Sequence, residues 1–447
     1  MIPPDKIRDF KTWLAQPPYQ GVVWLAWIYV VAACLLAGGG PITGHLDWFD
    51  DRVRLVQILN WLNGADWYDR TIMRANASEG FHTIWSRVVD LPTAAIIAIL
   101  QNSLGQMRAA MIAATIVPLV QVLLLFFAAA YTAQPLVPRK QAHLVALLVL
   151  FTSCINPETF TRAGFQAGAV SHHAWYVLAT LLLFGAMARL LITSHYKHIL
   201  TAAFAITALL VIGIEGLPLI AGVCGIFAVI GWHDNHPRLI RDAMAATSLG
   251  AFGGLLLIPA NLPSEKWLMV SFVEPSILGP ILVAAAALFF AGQYLILGKE
   301  GRNKYVTGII TALLVAAIAA ILIHLFPQLL AGGTAALSPE ERQLALHEHT
   351  EVQTLAKVAR NKIDYLRMVM PTLLAVTFAC YKITKTQSRR WQSVNLYYLG
   401  LTLLTFGMAS LYARYFHYAA LATCPWLLLL WLSTIKPIPQ SNMRTLS

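Results

Sequence analysis

The chain has 447 residues, of which 58% are hydrophobic and 12% charged, and its mean hydropathy is +0.63. Soluble domains carry about 25% charged residues, so the composition excludes an ordinary water-soluble fold and identifies a membrane protein. The net charge of +11 would suggest nucleic acid in a soluble chain. Here an excess of Lys and Arg in cytoplasmic loops accounts for it more simply, and no nucleic-acid partner is expected.

Hydropathy read in windows of about 19 residues predicts an all-α polytopic membrane protein. About twelve transmembrane helices are expected, with ten and thirteen as bounds, near 21–39, 109–132, 142–157, 170–192, 199–214, 216–232, 243–260, 277–297, 306–326, 366–382, 394–411 and 414–433. The first is too long for a signal-peptide core and lacks a small-residue cleavage site, so it reads as a span. The five cysteines lie in or beside apolar runs, far apart, with neither zinc spacing nor a disulfide framework.

Arg139-Lys140, Lys197, Arg238, Arg241, Lys299, Arg302, Lys304 and the run from Lys382 to Arg390 fall on one side if both termini are cytoplasmic. That orientation puts two long loops, 41–108 and 327–365, on the outer face, which in a Gram-negative cell is the periplasmic side of the inner membrane. One membrane domain covering 1–447 is expected, with these two loops as its external additions.

The first loop is the longest polar run, and it is patterned. Leu55, Ile58, Leu59 and Leu62 recur at helical spacing; Asp50 or Asp51 is expected to cap that helix, and Gly64 to end it. A second helix of about 12 residues opens after Asp90 with Pro92 in its first turn. Both are expected to lie along the membrane surface, the second being too short to span. In the second loop His347-Glu348-His349 reads as loop surface, and a helix is expected within 351–361.

Several groups can carry chemistry. Adjacent Asp50 and Asp51 suit a general base, a metal ligand or a helix cap. His82 with Trp85, Ser86 and Arg87 suits a lipid phosphate, or an aromatic belt beside a cation. His172 and His173, adjacent on a helix, project about 100° apart and are poorly placed to share a metal. They suit phosphate or sugar hydroxyls, or a hydrogen-bonded structural role. Glu215, in IGIEGLP, is an ionisable residue near membrane depth, and Arg414, in YARYFHYAA, suits an anionic headgroup or phosphate. No P-loop, GxGxxG or GxSxG motif is present.

Taken together, DDRVRLVQILNWLNGADWYD, EGFHTIWSRVVDLP, the His-His pair, IGIEGLP and YARYFHYAA resemble the bacterial membrane glycosyltransferases of the GT-C fold. These are distant relatives of the oligosaccharyltransferase catalytic subunit and of the dolichyl-phosphate-mannose-dependent mannosyltransferases. The resemblance implies an inverting hexosyl- or pentosyltransferase that moves a sugar from a polyprenyl-phosphate-linked donor to a lipid or glycan acceptor among the membrane lipids of the outer face. It implies an aspartate of the first loop, Asp50 or Asp51, as general base on the acceptor hydroxyl. His82, Arg87, His172, His173 and Arg414 become candidates for the donor phosphate or sugar, and Glu215 is grouped with them. Such relatives often carry an aspartate just before the His-His pair, where this chain has Ser171. No metal or other cofactor is predicted, and a divalent cation is left open. The rival reading is a transporter or flippase of a lipid-linked or amphiphilic substrate, but the ionisable residues gather at the outer ends of spans rather than at the midplane, where a passage would need them.

Overall fold

The computed structural model describes residues 19–37, 46, 48–73, 80–155, 163–297, 303–334, 338, 353–359 and 362–435. The chain is built of helices: α1 (Gln20–Ala37), α2 (Phe49–Leu62), then the short antiparallel pair β1 (Thr71–Ile72) and β2 (Phe81–His82), α3 (Leu91–Leu104), α4 (Gln106–Ala133), α5 (Val145–Ile155), α6 (His173–Ile192) and α7 (Tyr196–Ile212). There follow α8 (Leu217–Asp234), α9 (Pro237–Leu256), α10 (Leu278–Leu297), α11 (Lys304–Leu325), α12 (Lys362–Lys385), α13 (Arg389–Leu411) and α14 (Phe416–Ile435).

A helix lies at each of the twelve apolar stretches, and eight are long and apolar enough to cross a membrane: α4, α6, α8, α10, α11, α12, α13 and α14 with the turn leading into it. α1, α5 and α7 hold shorter apolar segments, and α9 carries Arg238, Arg241 and Asp242 in its first turns. Within a bilayer only helices satisfy their own backbone polar groups, which explains why long apolar runs fold this way. Close helix contact comes from small residues: Gly250, Gly253 and Gly254 of α9 leave room for Ile206, Thr207 and Leu210 of α7.

Two apolar cores result. The larger runs through the bundle from α1 to α14, with Phe126, Phe184, Phe227, Tyr397 and Trp426 fully buried. The smaller belongs to the first loop: Leu55 and Ile58 of α2 and Ala94 and Ile97 of α3 pack on Ala109, Ala110 and Ala113 of α4. Burying side chains such as Leu55 and Ile58 contributes about 1.5–3 kcal/mol each. The i, i+3 pattern in the sequence thus marks a real packing face. An apolar cleft of about 790 Å³ lies elsewhere, between α8, α10 and α11, lined by residues including Ala221, Cys224, Phe289 and Ile318.

The helix ends qualify the sequence reading. α2 begins at Phe49 with Trp48 as its N-cap, and no side chain caps it. Neither Asp50 nor Asp51 is the cap; both fall in the first turn, where a carboxylate still favours the positive end of the helix dipole. Gly64 ends α2 as expected: at φ +100° it lets its own N–H and that of Ala65 bond back to Trp61 O and Asn60 O. α3 has proline in its first turn. In the second loop a 3-10 helix at Pro327–Thr334 and a helical turn at Leu355–Val358 are described, while His347-Glu348-His349 lies outside the described residues.

Candidate active site

Four helix beginnings supply the site. Asp51 is in the first turn of α2, His172 is the N-cap of α6, Glu215 is in the turn before α8, and Arg414 is in the 3-10 turn before α14. Helix N-termini present unpaired N–H groups and a partial positive charge.

The two adjacent aspartates differ. Asp50 is exposed, whereas Asp51 is 4% exposed and its Oδ1 accepts the Val170 N–H at 2.8 Å. That bond ties α2 to the segment running into His172. Ser171 accepts the His173 N–H on its Oγ at 3.1 Å and so shapes the start of α6.

His172 and His173 lie with ring centroids 4.3 Å apart and planes tilted by 32°. Ligand atoms of His172, His173 and Glu215 all lie within 4.8 Å of one another, a group able by distance alone to hold a metal ion. This departs from the expected divergence of adjacent helical side chains. His172, the N-cap, keeps a near-helical backbone (φ −77°, ψ −14°), so the two rings meet through the directions their side chains take and not through a break in the helical step. Glu215 accepts Arg414 Nη1 on Oε1 at 2.9 Å, and the Tyr415 hydroxyl donates to the Glu215 carbonyl at 3.3 Å. The turn carrying Glu215 approaches α6 so closely that a Cβ at Gly213 would run into the Tyr176 hydroxyl.

Behind the histidines stands a residue the sequence reading missed. Arg54, 2% exposed, pairs through Nη1 with Asp90 Oδ1 at 2.7 Å and directs Nη2 at His172 Nδ1, 3.3 Å away. Its guanidinium lies 5.0 Å from the centre of the Trp85 ring. The available signal was positional: Arg54 follows Asp51 by one turn and sits between Val53 and Leu55 on the buried side of α2. Burial pushes the Asp90 carboxyl above the usual carboxylate range, opposed by Arg54 and then Arg87. Burial also lowers the pKa of His172 well below the ordinary histidine value, helped by the positive surroundings of His173, Arg54 and Arg414.

The remaining candidates stand apart from this group. Arg87 is buried, donating Nη1 to Gln57 O at 3.2 Å and Nη2 to Asp69 O. It braces the loop between α2 and α3. His82 is exposed on β2, 3.4 Å from Thr71 Oγ1 across the hairpin, and its pKa is lowered by partial burial and then by Arg70. Arg70 in turn pairs with Glu274 at 2.8 Å. The structure therefore gathers His172, His173, Glu215 and Arg414, sets Asp51 against the chain entering His172, and places Arg87 and His82 in the scaffold of the loop.

No protein-family model matches the sequence, and no curated protein matches it. Solved structures do match the fold. The archaeal oligosaccharyltransferase AglB from Archaeoglobus fulgidus, in complex with an inhibitory peptide and a dolichol-phosphate, aligns with a TM-score of 0.67 at 14% identity, over 86% of this chain and 46% of that one. The Archaeoglobus fulgidus oligosaccharyltransferase in complex with Zn and sulfate aligns with a TM-score of 0.63 at 14% identity, over 93% and 49% of the two chains. The same enzyme tethered to an acceptor peptide gives 0.62 at 15% identity, over 88% and 47%. The chain spans about half the length of these neighbours. Its helical framework is GT-C-like, the fold of these oligosaccharyltransferase structures.

Proposed function

We propose that this protein is an inverting GT-C-type glycosyltransferase, transferring a hexosyl or pentosyl group from a polyprenyl-phosphate-linked donor to a lipid or glycan hydroxyl. We read its site as opening on the periplasmic face of a bacterial inner membrane, with α2 and α3 at the membrane surface. The observation carrying this reading is the convergence of Arg414, His172, His173 and Glu215 beside the buried Asp51, on an oligosaccharyltransferase fold.

Asp51 is the base in this reading and Asp50 is not. Asp51 is turned inward against the chain leading to His172, whereas Asp50 faces out. Its place in the first turn of α2 stabilises the ionised form, as a base requires. The Asp51 carboxylate takes the proton of the acceptor hydroxyl. The freed oxygen attacks the anomeric carbon from the side opposite the phosphate, the glycosidic bond to phosphate oxygen breaks, and the bonding pair leaves with that oxygen. Negative charge then grows on the phosphate, where Arg414, the His172 ring N–H and the helix N-termini face it. Such fixed donors commonly supply the largest share of the rate. The apolar cleft includes Ala221, about two turns along α8 from the turn of Glu215, and suits the isoprenoid tail of the donor.

The test is sugar transfer by purified protein from a polyprenyl-phosphate sugar, with products identified by mass spectrometry of envelope lipids and glycans from a deletion strain. Wild-type transfer rates in Asp51→Asn would refute the assignment of the base. Unchanged envelope lipids and glycans in the deletion strain would count against the function itself.

A further inference from the structure

The solved Zn complex of a protein sharing this fold raises the question of whether His172, His173 and Glu215 bind a divalent metal. We infer that they form an anion receptor that excludes a dication, and that Arg54 is the positioning residue that makes it so by holding His172 with its proton on Nε2. The inference rests on the reading of this cluster as the donor-phosphate pocket.

A guanidinium has five N–H donors, no acceptor, and stays protonated in proteins. In the contact between Arg54 Nη2 and His172 Nδ1, therefore, Nδ1 is the acceptor. A neutral imidazole has one ring proton, which must then lie on Nε2. A metal needs a ring-nitrogen lone pair. At Nδ1 that lone pair is occupied by Arg54, and at Nε2 the proton stands in its place. Arg54 is held firmly, since Nη1 is bound to Asp90 Oδ1 and lies 3.3 Å from Ser86 O, and its Cζ lies 5.0 Å from the centre of the Trp85 ring.

Glu215 is engaged on one oxygen, its Oε1 accepting from Arg414, and a carboxylate keeps a second. That leaves His173 and one oxygen of Glu215, two ligands against the three or four protein ligands that zinc sites use. Two permanent cations border the cluster, Arg54 paired with Asp90 and Arg414 with Glu215, and the α6 and α8 N-termini add positive potential. Glu215 is the one carboxylate of the three to attract a dication, and the arginines and the helix ends oppose it. An oxyanion would be attracted by them and would receive the Nε2–H of His172. The ligand class is thus a phosphate bearing terminal oxygens, and the structure offers it donors rather than a bridging metal.

The experiment uses full-length protein with inorganic phosphate and with Co²⁺ alone as probes, and reads the histidine tautomers by nitrogen-15 NMR of labelled histidine. Wild type is expected to show the Nε2–H tautomer at His172 and no stoichiometric Co²⁺ absorption band. Arg54→Lys should keep both properties. Arg54→Met should weaken phosphate binding about tenfold, near 1.4 kcal/mol, and gain a Co²⁺ band that R54M/H172A lacks. A stoichiometric Co²⁺ band in wild type that His172→Ala removes would overturn the inference, as would a His172 proton on Nδ1. Both decisive readings need only wild type and H172A, so a poorly folding Arg54→Met does not blunt the test. Turnover plays no part in them. A protein with the expected tautomer and phosphate binding but no sugar transfer would end the glycosyltransferase reading and leave the anion receptor standing.

Discussion

Asp51 Oδ1 accepts the Val170 N–H at 2.8 Å, joining residues 119 apart in sequence and drawing the first turn of α2 against the chain that enters His172. Its neighbour Asp50 is exposed and points elsewhere, because successive helical residues project about 100° apart. Asp51→Asn is expected to lower the transfer rate by about 10²–10⁴-fold, the usual contribution of a general base, while Asp50→Asn stays within a few-fold of wild type. Single-turnover rates with saturating donor separate the two. Equal losses would show that orientation does not select the base.

Arg54→Met removes one partner of a buried ion pair and leaves Asp90, itself 2% exposed, without its nearest cation. Breaking such a pair costs about 3–5 kcal/mol, and thermal unfolding in detergent should show a correspondingly large fall in Tm. Replacing both residues, as in R54M/D90L, removes the stranded charge as well and should restore more than half of the loss. A double variant no more stable than the single one would show that Asp90 is held by other partners, Arg87 foremost.

His172 has its pKa depressed in the folded protein. Below about pH 6.5, the ordinary histidine value, the unfolded chain takes up a proton that the folded chain refuses. Stability therefore falls as the pH drops, by at most about 1.4 kcal/mol per pH unit for this one group. His172→Gln should flatten the decline in Tm between neutral pH and pH 5. A parallel slope in the variant would mean that His172 does not carry this dependence.

Gly213 admits the Tyr176 hydroxyl at a point where a side chain would collide with it. Gly213→Ala is expected to cost about 1–3 kcal/mol, as overpacking does, and to displace the turn holding Glu215. Adding Tyr176→Phe removes the colliding oxygen and should recover part of both stability and transfer rate. Failure to recover either would place the strain elsewhere in the turn.

Arg414 is charged and only partly exposed, and it pairs with Glu215. Losing a charge-assisted contact to the donor phosphate costs about 1.5–3 kcal/mol, so Arg414→Ala should weaken donor binding roughly 10–100-fold, with Arg414→Lys intermediate. Unchanged donor affinity in Arg414→Ala would remove this residue from the phosphate pocket.

The sequence by itself determined the helical membrane character, because long apolar runs leave the backbone no other way to bond within lipid. It also marked α2 through the spacing of Leu55 and Ile58, its end through Gly64, and four residues that do converge: His172, His173, Glu215 and Arg414. Each sits where an apolar run begins or ends, and that is legible in one dimension. Only the tertiary structure decided which of Asp50 and Asp51 turns inward, since that follows from how α2 rotates to bury Leu55 and Ile58 against α3 and α4. It alone turned Arg87 into the loop scaffold and brought Arg54 to His172, 118 residues away. Neither arginine differs from the other in local sequence character. What separates them is the burial of one helix face and the carbonyls, carboxylate and imidazole that the folded chain happens to place within reach of each guanidinium.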